Sequence, residues 1–595
     1  MGKTSLARAV AGACLEGRHD APPFATAVWV SDRDQAGATN LSGLLDTVAR
    51  VLDYPGLTAL PHREKQQAIE QLLRAQPTLL VVDNAETIGD RALLDWLDRL
   101  PAPSKALITS RIGLPPLAHA CVVPLAPMDA RESRELVAAW VERSPLRRMP
   151  DAVSQLLPIA VAAGGNPKAT ELALGLVQRR SLDDVLTGLM TAKFDTLFDE
   201  LFARAWTLLD AAARRLLLAM PLFVSSASEA PLAYIADLPP GALQRAADQL
   251  ADLSLLDIER ADLRTPPRYT IHPLVRAFAG ARLAERPAEE AALRERWLGW
   301  CMDLAASVGF CWDDLDRLDR LDIEHETVQA ALEWAAAAGR DHETIALAEG
   351  VRYYYNVRGF WDERRMANYE LRAAAARRLG DSSELVLALA QRAEVLTKQD
   401  TLDQAAALVA EAEAAADGAE LSSDAAFELG HARALLAHAR GELTQAEALW
   451  RELLPFAATL EPQKHIINRR WLATCLLEQG RADEAAALYR ESLADAEACH
   501  DTRSVTGNSL KLAAIDLARG ELAAAEAALA ACYTAASRYN DRRRLAEYHW
   551  LTARLRAAQG DSAGARAALE LAADLFERMG MRKEAQALQV AKEVA

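Results

Sequence analysis

Two residues near the start of the chain have the types and spacing to bind a phosphate chain and a metal ion. The sequence opens Gly2-Lys3-Thr4-Ser5 and continues into a helical apolar pattern. This is the second half of the phosphate-binding pattern G-x-x-x-x-G-K-[ST], in which N–H groups at a helix N-terminus hold the phosphates. The lysine of such a loop neutralises β- and γ-phosphate oxygens, and the hydroxyl ligates Mg²⁺. We therefore expect Gly2, Lys3, Thr4 and Ser5 to contact the phosphates, and Thr4 also to be a metal ligand.

A carboxylate follows an apolar segment further along the chain. The run Thr78-Leu-Leu-Val-Val-Asp83 reads as a buried strand, with Asn84 directly after it and Glu86 beyond. A strand that brings Asp83 beside Thr4 would supply the second Mg²⁺ ligand. The amide of Asn84 cannot act as a general base. Asp83 and Glu86 are therefore the candidate catalytic residues, and the expected hydrolysis is slow or absent.

These residues need a parallel sheet to bring them together. Strands alternating with helices predict a doubly wound sheet, whose ligands bind at the carboxyl ends of the strands. Arg111, which ends the third predicted strand, would then share an edge with Asp83. Taken singly, Asp83 could be a turn residue and Arg111 a solvated loop charge, but their order favours phosphate binding. The predicted strands are Ala25–Ser31, 77–83, Lys105–Arg111 and Cys121–Leu125, and the predicted helices are 66–74, 93–100 and Asp129–Glu142.

Composition limits the class of protein. A length of 595 residues suggests about four domains. The net charge of -17 argues against broad binding to nucleic acid or anionic membranes, because phosphates require a basic surface. No apolar run approaches the ~18 residues that span a membrane, and we see no signal peptide. Seven cysteines without a CxxC pair exclude a zinc ribbon and favour a reducing compartment, so the expected location is cytoplasmic.

The second half of the sequence repeats itself. Gly441, Gly480, Gly520 and Gly560 recur at intervals of about 40 residues, and Asp400 extends the series backwards. This period predicts an α-solenoid of helix hairpins, in which glycine permits the turn and alanines permit close packing. A plain helical bundle is the alternative. The concave face of a solenoid usually binds a protein or peptide partner. The matching alanines are Ala393, Ala434, Ala473, Ala513 and Ala553 before the turns, and Ala405, Ala446, Ala485, Ala525 and Ala565 after them.

With these motifs in place, the chain resembles the NB-ARC-type members of the STAND class of signal-transduction NTPases. In that family an arginine on a sensor strand reads the γ-phosphate, a proline packs on adenine, and a winged-helix histidine contacts the ADP β-phosphate. The resemblance thus implies Arg111, Pro167 and His272 as contacts of ATP or ADP. The segments that carry it are Leu79–Asp83 (Walker B), Leu107–Arg111 (sensor strand), Gly164–Ala169 (proline loop) and Ile271–Arg276 (histidine motif).

The resemblance also implies a multidomain organisation. The first half of the phosphate loop and the strand that feeds it would precede Met1, so we expect a chain truncated within the Walker A loop and upstream codons that supply both. The implied domains are an α/β P-loop NTPase core lacking its first strand (1–145), a small helical domain (146–206), a winged-helix domain (207–285), a helical arm or degenerate repeats (286–380) and a solenoid of tetratricopeptide-like repeats (381–595).

The implied function is an ATP/ADP-dependent switch in signal transduction or regulation. Its repeats would sense a protein or peptide partner, and ATP would permit homo-oligomerisation. A nucleotide-free repeat scaffold with a degenerate core and a STAND-class transcription regulator are the alternatives. Direct DNA binding is disfavoured, because the helix predicted at 241–253 offers Arg245 against Asp248 and Asp252.

Overall fold

A computed structural model describes residues 2–18, 22–31, 39–110, 112, 117–191, 197–260, 266–309, 311–312, 314–359 and 363–594. The chain divides into two compact units. The first comprises Met1–Asn40 and Gln76–Cys301, and the second comprises Leu41–Ala75 and Met302–Ala595.

A three-stranded parallel sheet lies in the first unit, in the order β1-β2-β3. The central strand is buried at all six positions, and Ser31 at the end of β1 pairs with Asp83 at the end of β2. Ala7, Ala11 and Cys14 of the first helix pack with Leu79 and Val81 of β2. The elements over this part of the chain are α1 (Lys3–Glu16), β1 (Thr26–Ser31), α2 (Leu41–Val51), α3 (His62–Ala75), β2 (Thr78–Asp83), α4 (Arg91–Asp98), β3 (Lys105–Ile108) and α5 (Ala130–Arg143).

The expected strand at Cys121–Leu125 was wrong. Residues 117–129 contain neither helix nor strand, and Val122 and Val123 are 83% and 72% exposed. A strand requires a neighbour for its backbone hydrogen bonds, and Pro124 removes one donor from this short segment. The expected helix after it is present, and its N-terminus is fixed by a reciprocal capping box between Asp129 and Glu132.

The remainder of the first unit is helical apart from a small antiparallel sheet in the order β4-β6-β5. Strands β5 and β6 form a β-hairpin, in which Ile258 of β5 pairs with Tyr269 of β6. Tyr269 is fully buried. The elements are α6 (Ala152–Ala162), α7 (Pro167–Val177), α8 (Leu182–Thr191), α9 (Leu197–Leu208), α10 (Ala211–Ala219), β4 (Ala227–Ser228), α11 (Glu229–Ile235), α12 (Pro240–Asp252), β5 (Asp257–Glu259), β6 (Arg268–Thr270) and α13 (Pro273–Ala284).

Helix hairpins make up most of the second unit. Each helix packs mainly on its neighbours in the chain, which is the arrangement of a solenoid. The helices from the end of the first unit onward are α14 (Pro287–Val308), α15 (Leu318–Ala337), α16 (Asp341–Arg358), α17 (Glu363–Leu379), α18 (Ser382–Lys398), α19 (Leu402–Ala416), α20 (Ser423–Ala439), α21 (Leu443–Ala457), α22 (Pro462–Glu478), α23 (Ala482–Ala498), α24 (Thr502–Arg519), α25 (Leu522–Arg538), α26 (Arg542–Ala558), α27 (Ser562–Arg578) and α28 (Arg582–Val594).

The repeat spacing has the structural cause expected from the sequence. Gly441, Gly480, Gly520 and Gly560 have φ of +79°, +83°, +79° and +83°, and Asp400 has φ of +60° at the corresponding turn. Only the left-handed conformation closes these short turns, and glycine adopts it without a steric penalty. The alanines flanking the turns are at most 3% exposed, so each hairpin closes on small side chains.

Residues 41–75 pack on the last repeats within the second unit. The Tyr54 hydroxyl donates to Asp574 Oδ1 over 2.5 Å. Asp53 forms ion pairs with both Arg542 and Arg578. Burial and the Asp574 carboxylate raise the pKa of Tyr54 well above its ordinary value, which keeps this hydroxyl a donor. These contacts attach the α2–α3 hairpin to α26 and α27.

Over the part of the chain that the structure describes, no helix is both long and apolar enough to cross a bilayer.

Replacing Gly520 with alanine should destabilise the repeat array by about 1 kcal/mol, because a β-carbon is strained at positive φ. A β-carbon at this position meets no atom within 4 Å, so the cost would be conformational rather than steric. Gly520→Asn should cost less, since asparagine tolerates this conformation, as Asn540 does at φ +48°. Urea unfolding followed by circular dichroism compares the two variants, and equal losses would contradict the explanation.

Candidate functional site

The candidate site starts at the N-terminus of α1. Gly2 caps the helix with φ of +69°, and its carbonyl accepts the Leu6 N–H over 2.8 Å. The N–H groups of the first helical turn have no partner within the helix and carry the positive end of its dipole. Lys3 and Thr4 are half-buried and Ser5 is exposed. This end of α1 therefore presents donors and a cation that suit an anion.

A buried carboxylate lies against Thr4. Asp83 is 2% exposed, and the Thr4 hydroxyl is 2.8 Å and 3.0 Å from its two oxygens. The Thr109 hydroxyl, directly after β3, donates to Asp83 Oδ1 over 2.5 Å. Among the described residues, no lysine or arginine nitrogen lies within ion-pair distance of this carboxylate. Asp83 is thus held by hydroxyl groups, and its negative charge is not neutralised by a side chain there.

Polar groups connect the carboxyl ends of all three strands. Asn84 donates through Nδ2 to Ser31 Oγ over 3.3 Å and to Asp83 Oδ2 over 3.2 Å. Its backbone N–H donates to Thr109 Oγ1 over 3.1 Å. Asn84 adopts φ of +60°, which turns the chain sharply after β2. Ser31, Asp83, Asn84 and Thr109 therefore form a continuous network at the ligand-binding edge expected of a parallel sheet.

The Thr4–Asp83 pair fits a magnesium ion. Mg²⁺ binds oxygen ligands octahedrally at about 2.1 Å, so neighbouring ligand oxygens are about 3 Å apart. The observed Thr4–Asp83 separations of 2.8 Å and 3.0 Å match that spacing. Magnesium sites of this kind use one or two protein oxygens and take the others from phosphates and water. The described part of the chain contains no cluster of three or more His, Cys, Asp or Glu residues that could hold a metal.

Pro167 lies beside the start of α1. A β-carbon built on Gly2 would be 3.4 Å from Pro167 Cγ. Asn166 caps α7 by accepting the Ala169 N–H over 3.2 Å, which fixes Pro167 at the first position of the helix. Gly165, with φ of +65°, lets the preceding turn approach Met128, whose N–H donates to the Gly165 carbonyl over 3.0 Å. The fold thus places the predicted proline next to the predicted phosphate loop.

The remaining predicted residues are placed as follows. Glu86 is half-buried in a single helical turn, Ala85–Thr87, two residues after Asn84. His272 caps α13, with its Nδ1 accepting the Leu274 N–H over 3.2 Å. An accepting Nδ1 carries no proton. Arg111 lies outside the described residues. The nucleotide roles of Glu86, Arg111 and His272 stay predictions.

Helix α7 connects the loop region to α12. Lys168, next to Pro167, donates to the Ser254 carbonyl over 3.1 Å. About two turns further along α7, a β-carbon at Gly175 would be 2.9 Å from Leu253 Cα. Gln178 donates to the Asp252 carbonyl over 3.0 Å. One rigid helix therefore contacts Gly2 at its N-terminus and the end of α12 along its length.

Sequence reasoning missed the contributions of Thr109, Ser31 and Asn84 to this network. The signal for Thr109 was available, because a Thr-Ser pair ends the apolar run of β3. In the sequence, Asn84 is recognisable only as a residue that cannot act as a base. In the structure, its side-chain amide bridges the ends of two strands.

Comparison with known proteins gives distant similarities. No family model matches the chain. The transcription activator GutR of Bacillus subtilis (strain 168) is 24% identical over 388 residues, which are 60% of this chain and 46% of GutR, so the match spans less than half of that relative. A solved STAND protein with a tetratricopeptide repeat sensor from Pyrococcus horikoshii has a TM-score of 0.46 and 15% identity, covering 99% of this chain and 91% of that one. A Rap protein complexed with Competence and Sporulation Factor has a TM-score of 0.32 and 14% identity, covering 51% of this chain and 97% of that one.

Removing the Thr109 hydroxyl should loosen the end of the sheet. Thr109→Val leaves the buried Asp83 carboxylate with one donor fewer, at a cost of about 1–3 kcal/mol. Thr109→Ser keeps the donor and should cost less than half as much. Hydrogen exchange at the β2 amides measures the local opening free energy of each variant. Equal protection in both variants would show that the hydroxyl does not hold Asp83.

Proposed function

We propose that the chain is a nucleotide-dependent regulatory switch that binds ADP or ATP with Mg²⁺ at the N-terminus of α1. The observation that carries this proposal is the Thr4–Asp83 contact, 2.8 Å long, at the carboxyl edge of a parallel sheet. A hydroxyl from the first turn of a helix and a carboxylate from the neighbouring strand are the metal ligands that phosphate-binding loops use. The adjacent Lys3 supplies the cation for the phosphates.

The individual roles follow from position. The N–H groups of α1 and the Lys3 ammonium bind the β-phosphate region, and Thr4 and Asp83 hold the metal. Bound Mg²⁺ would neutralise phosphate charge and orient the phosphate chain. Pro167 supplies an apolar wall next to Gly2 for the base. Asn84 and Thr109 fix the Asp83 carboxylate, and because Asn84 cannot accept a proton from water, turnover is slow.

A switch needs a part that senses which nucleotide is bound. Helix α7 is the element that we assign to this role, because Pro167 adjoins the loop while Gly175 and Lys168 contact the Leu253–Ser254 turn after α12. A ligand shifts an equilibrium only by its difference in affinity for two states. The γ-phosphate of ATP would therefore act by moving α7 against α12. The repeats would sense a partner, and exchange to ATP would permit self-association.

Regulation of transcription is the second candidate, and the similarity to the transcription activator GutR favours it. The helix that would have to enter a DNA groove is α12. Its last residues lie against α7, where Asp252 pairs with Arg179 at 3.8 Å. A helix whose last turn packs on α7 and whose exposed face carries Asp248 and Asp252 is poorly suited to reading bases. We therefore place any effect on transcription in a partner or another segment, and not in α12.

Calorimetry with ADP and Mg²⁺ tests the nucleotide site. Lys3→Ala should weaken binding at least 10-fold, because the phosphate charge loses its cation. Thr4→Val should reduce the Mg²⁺ dependence of the affinity while the chain stays folded. Arg8→Ala is the matched control, because Arg8 is an exposed cation of the same helix and should leave the Kd unchanged. Binding that is absent from the parent chain, or equal in Lys3→Ala, would favour the nucleotide-free scaffold.

Substitution of Gly175 tests the coupling through α7. Gly175→Ala forces the helix away from the Leu253 backbone, since the added carbon would be only 2.9 Å from Leu253 Cα. The ratio of ADP to ATP affinities should change by about 5-fold or more, the usual range for coupled sites. Gly280→Ala is the matched control, because a β-carbon there meets nothing within 4 Å. A folded Gly175→Ala chain with an unchanged ratio would exclude α7 as the coupling element.

A further inference from the structure

The interior of the repeat array contains three neighbouring cavities of about 330, 100 and 490 Å³. The smallest shares Arg470 and Arg503 with the first cavity, and Lys511 and Arg543 with the largest. Most of the wall residues come from the first helix of successive hairpins, namely α18, α22, α24 and α26. The three cavities therefore adjoin one another, and we refer to them together as the channel; the first and the largest have the size of common ligand pockets.

The narrow middle of this channel is strongly cationic. Six cationic side chains line it, against two carboxylates, Glu394 and Glu547; the cations are Lys398, Arg470, Arg503, Lys511, Arg543 and Arg544. This excess of four positive charges lies inside a chain whose net charge is -17. Burying like charges together is costly unless they are paired, so this concentration requires an explanation.

Some of these cations are neutralised within the array. Lys398 pairs with Glu394, and Arg544 donates to Glu547 over 2.6 Å. Arg503 pairs with Asp541, which lies behind the cavity wall, over 2.6 Å. Arg470 and Lys511 differ from these, because no carboxylate of the described residues lies within 4 Å of either one. Arg470 and Lys511 are therefore left without an ion-pair partner in the wall of the smallest cavity.

The guanidinium groups are held in place by the fold. Arg544 is 5% exposed, and its Nε has no acceptor among the described residues. Gly507 in α24 makes room for it, since a β-carbon there would be 2.5 Å from Arg544 Nη2 and 3.1 Å from Arg470 Nη1. The two guanidinium groups thus lie close together beside Gly507, and both line the smallest cavity. Burial, followed by repulsion from Arg544, Arg503 and Arg543, lowers the pKa of Arg470 to about 9. Burial likewise lowers the pKa of Lys511.

We propose that this narrow segment binds the phosphate group of a small molecule, with Arg470, Lys511 and Arg544 as its ligands. A phosphate monoester carries close to two negative charges at neutral pH, which matches the two unpaired cations better than a carboxylate does. Arginine forks bind phosphate oxygens in pairs, and lysine adds a point charge. This site is separate from the nucleotide site proposed above and depends on different residues.

The part of the small molecule attached to the phosphate would bind in the largest of the three cavities. That cavity is walled by apolar and aromatic side chains beside the cations, including Trp471, Trp550, Phe576 and Leu588. An apolar or ring-shaped body attached to the phosphate would pack there and replace water on these surfaces. A phosphate that carries such a body should therefore bind more tightly than inorganic phosphate.

Calorimetry on the full chain with Lys3→Ala as background tests the site, since that substitution weakens the proposed phosphate site at α1. Inorganic phosphate, phenyl phosphate and benzoate are the probes, at constant ionic strength set with chloride. We expect one site per chain, with phenyl phosphate tighter than phosphate and benzoate weaker than phenyl phosphate. Arg470→Gln and Lys511→Gln should each weaken phenyl phosphate binding at least 10-fold, and Arg490→Gln, an exposed arginine of α23, should not.

Thermal unfolding without phosphate gives a second readout. Arg470→Gln removes one of several mutually repelling cations, so it should raise the melting temperature while abolishing the stabilisation by phenyl phosphate. If Arg470 only stabilised the fold, Arg470→Gln would instead lower the melting temperature. The proposal is overturned if no phosphate compound binds, if Arg470→Gln and Arg490→Gln bind alike, or if benzoate binds as tightly as phenyl phosphate.

Discussion

The first unit depends on one buried negative charge. Asp83 ends the central strand at 2% exposure, and hydrogen bonds from hydroxyl and amide donors hold its carboxylate in place. A buried carboxylate without a cation is costly, so the fold supplies several hydrogen bonds, and the Thr4 donor comes from the first turn of α1. The start of α1 and the ends of three strands are therefore held at a single point. That constraint makes the edge of this small sheet a potential site for a divalent cation.

The same constraint explains why the neighbouring helices matter. Gly2 fixes the start of α1, and Pro167 at the start of α7 lies against it. From there α7 runs to the turn after α12, where glycine at position 175 allows backbone to meet backbone. Packed interiors transmit displacement because they contain little free space. Helix α7 therefore links the start of α1 directly to the end of α12, without an intervening chain of side chains.

Sequence reasoning found the features that depend on local pattern. The apolar run of β2, the helix that begins near Asp129 and the glycine-alanine period of the repeats each have a local physical cause, and the structure contains all three. It failed at Cys121–Leu125, because a short apolar run does not indicate whether a neighbouring strand exists. It also overlooked Arg470 and Lys511, which lie on different hairpins and come together only because those hairpins pack on each other. Long-range convergence of this kind is not encoded in spacing along one element.

Helix α26 connects two features of the second unit that otherwise look unrelated. Arg542 at its start pairs with Asp53 of the α2–α3 hairpin, while the next two residues, Arg543 and Arg544, line the cationic channel. Successive residues on a helix point in different directions, so one rigid element faces both the hairpin and the channel. An anion that drew Arg544 inward would pull on α26 and so act on the Arg542–Asp53 pair. Helix α26 thus joins the proposed phosphate site to residues 41–75, which lie in sequence between strands β1 and β2.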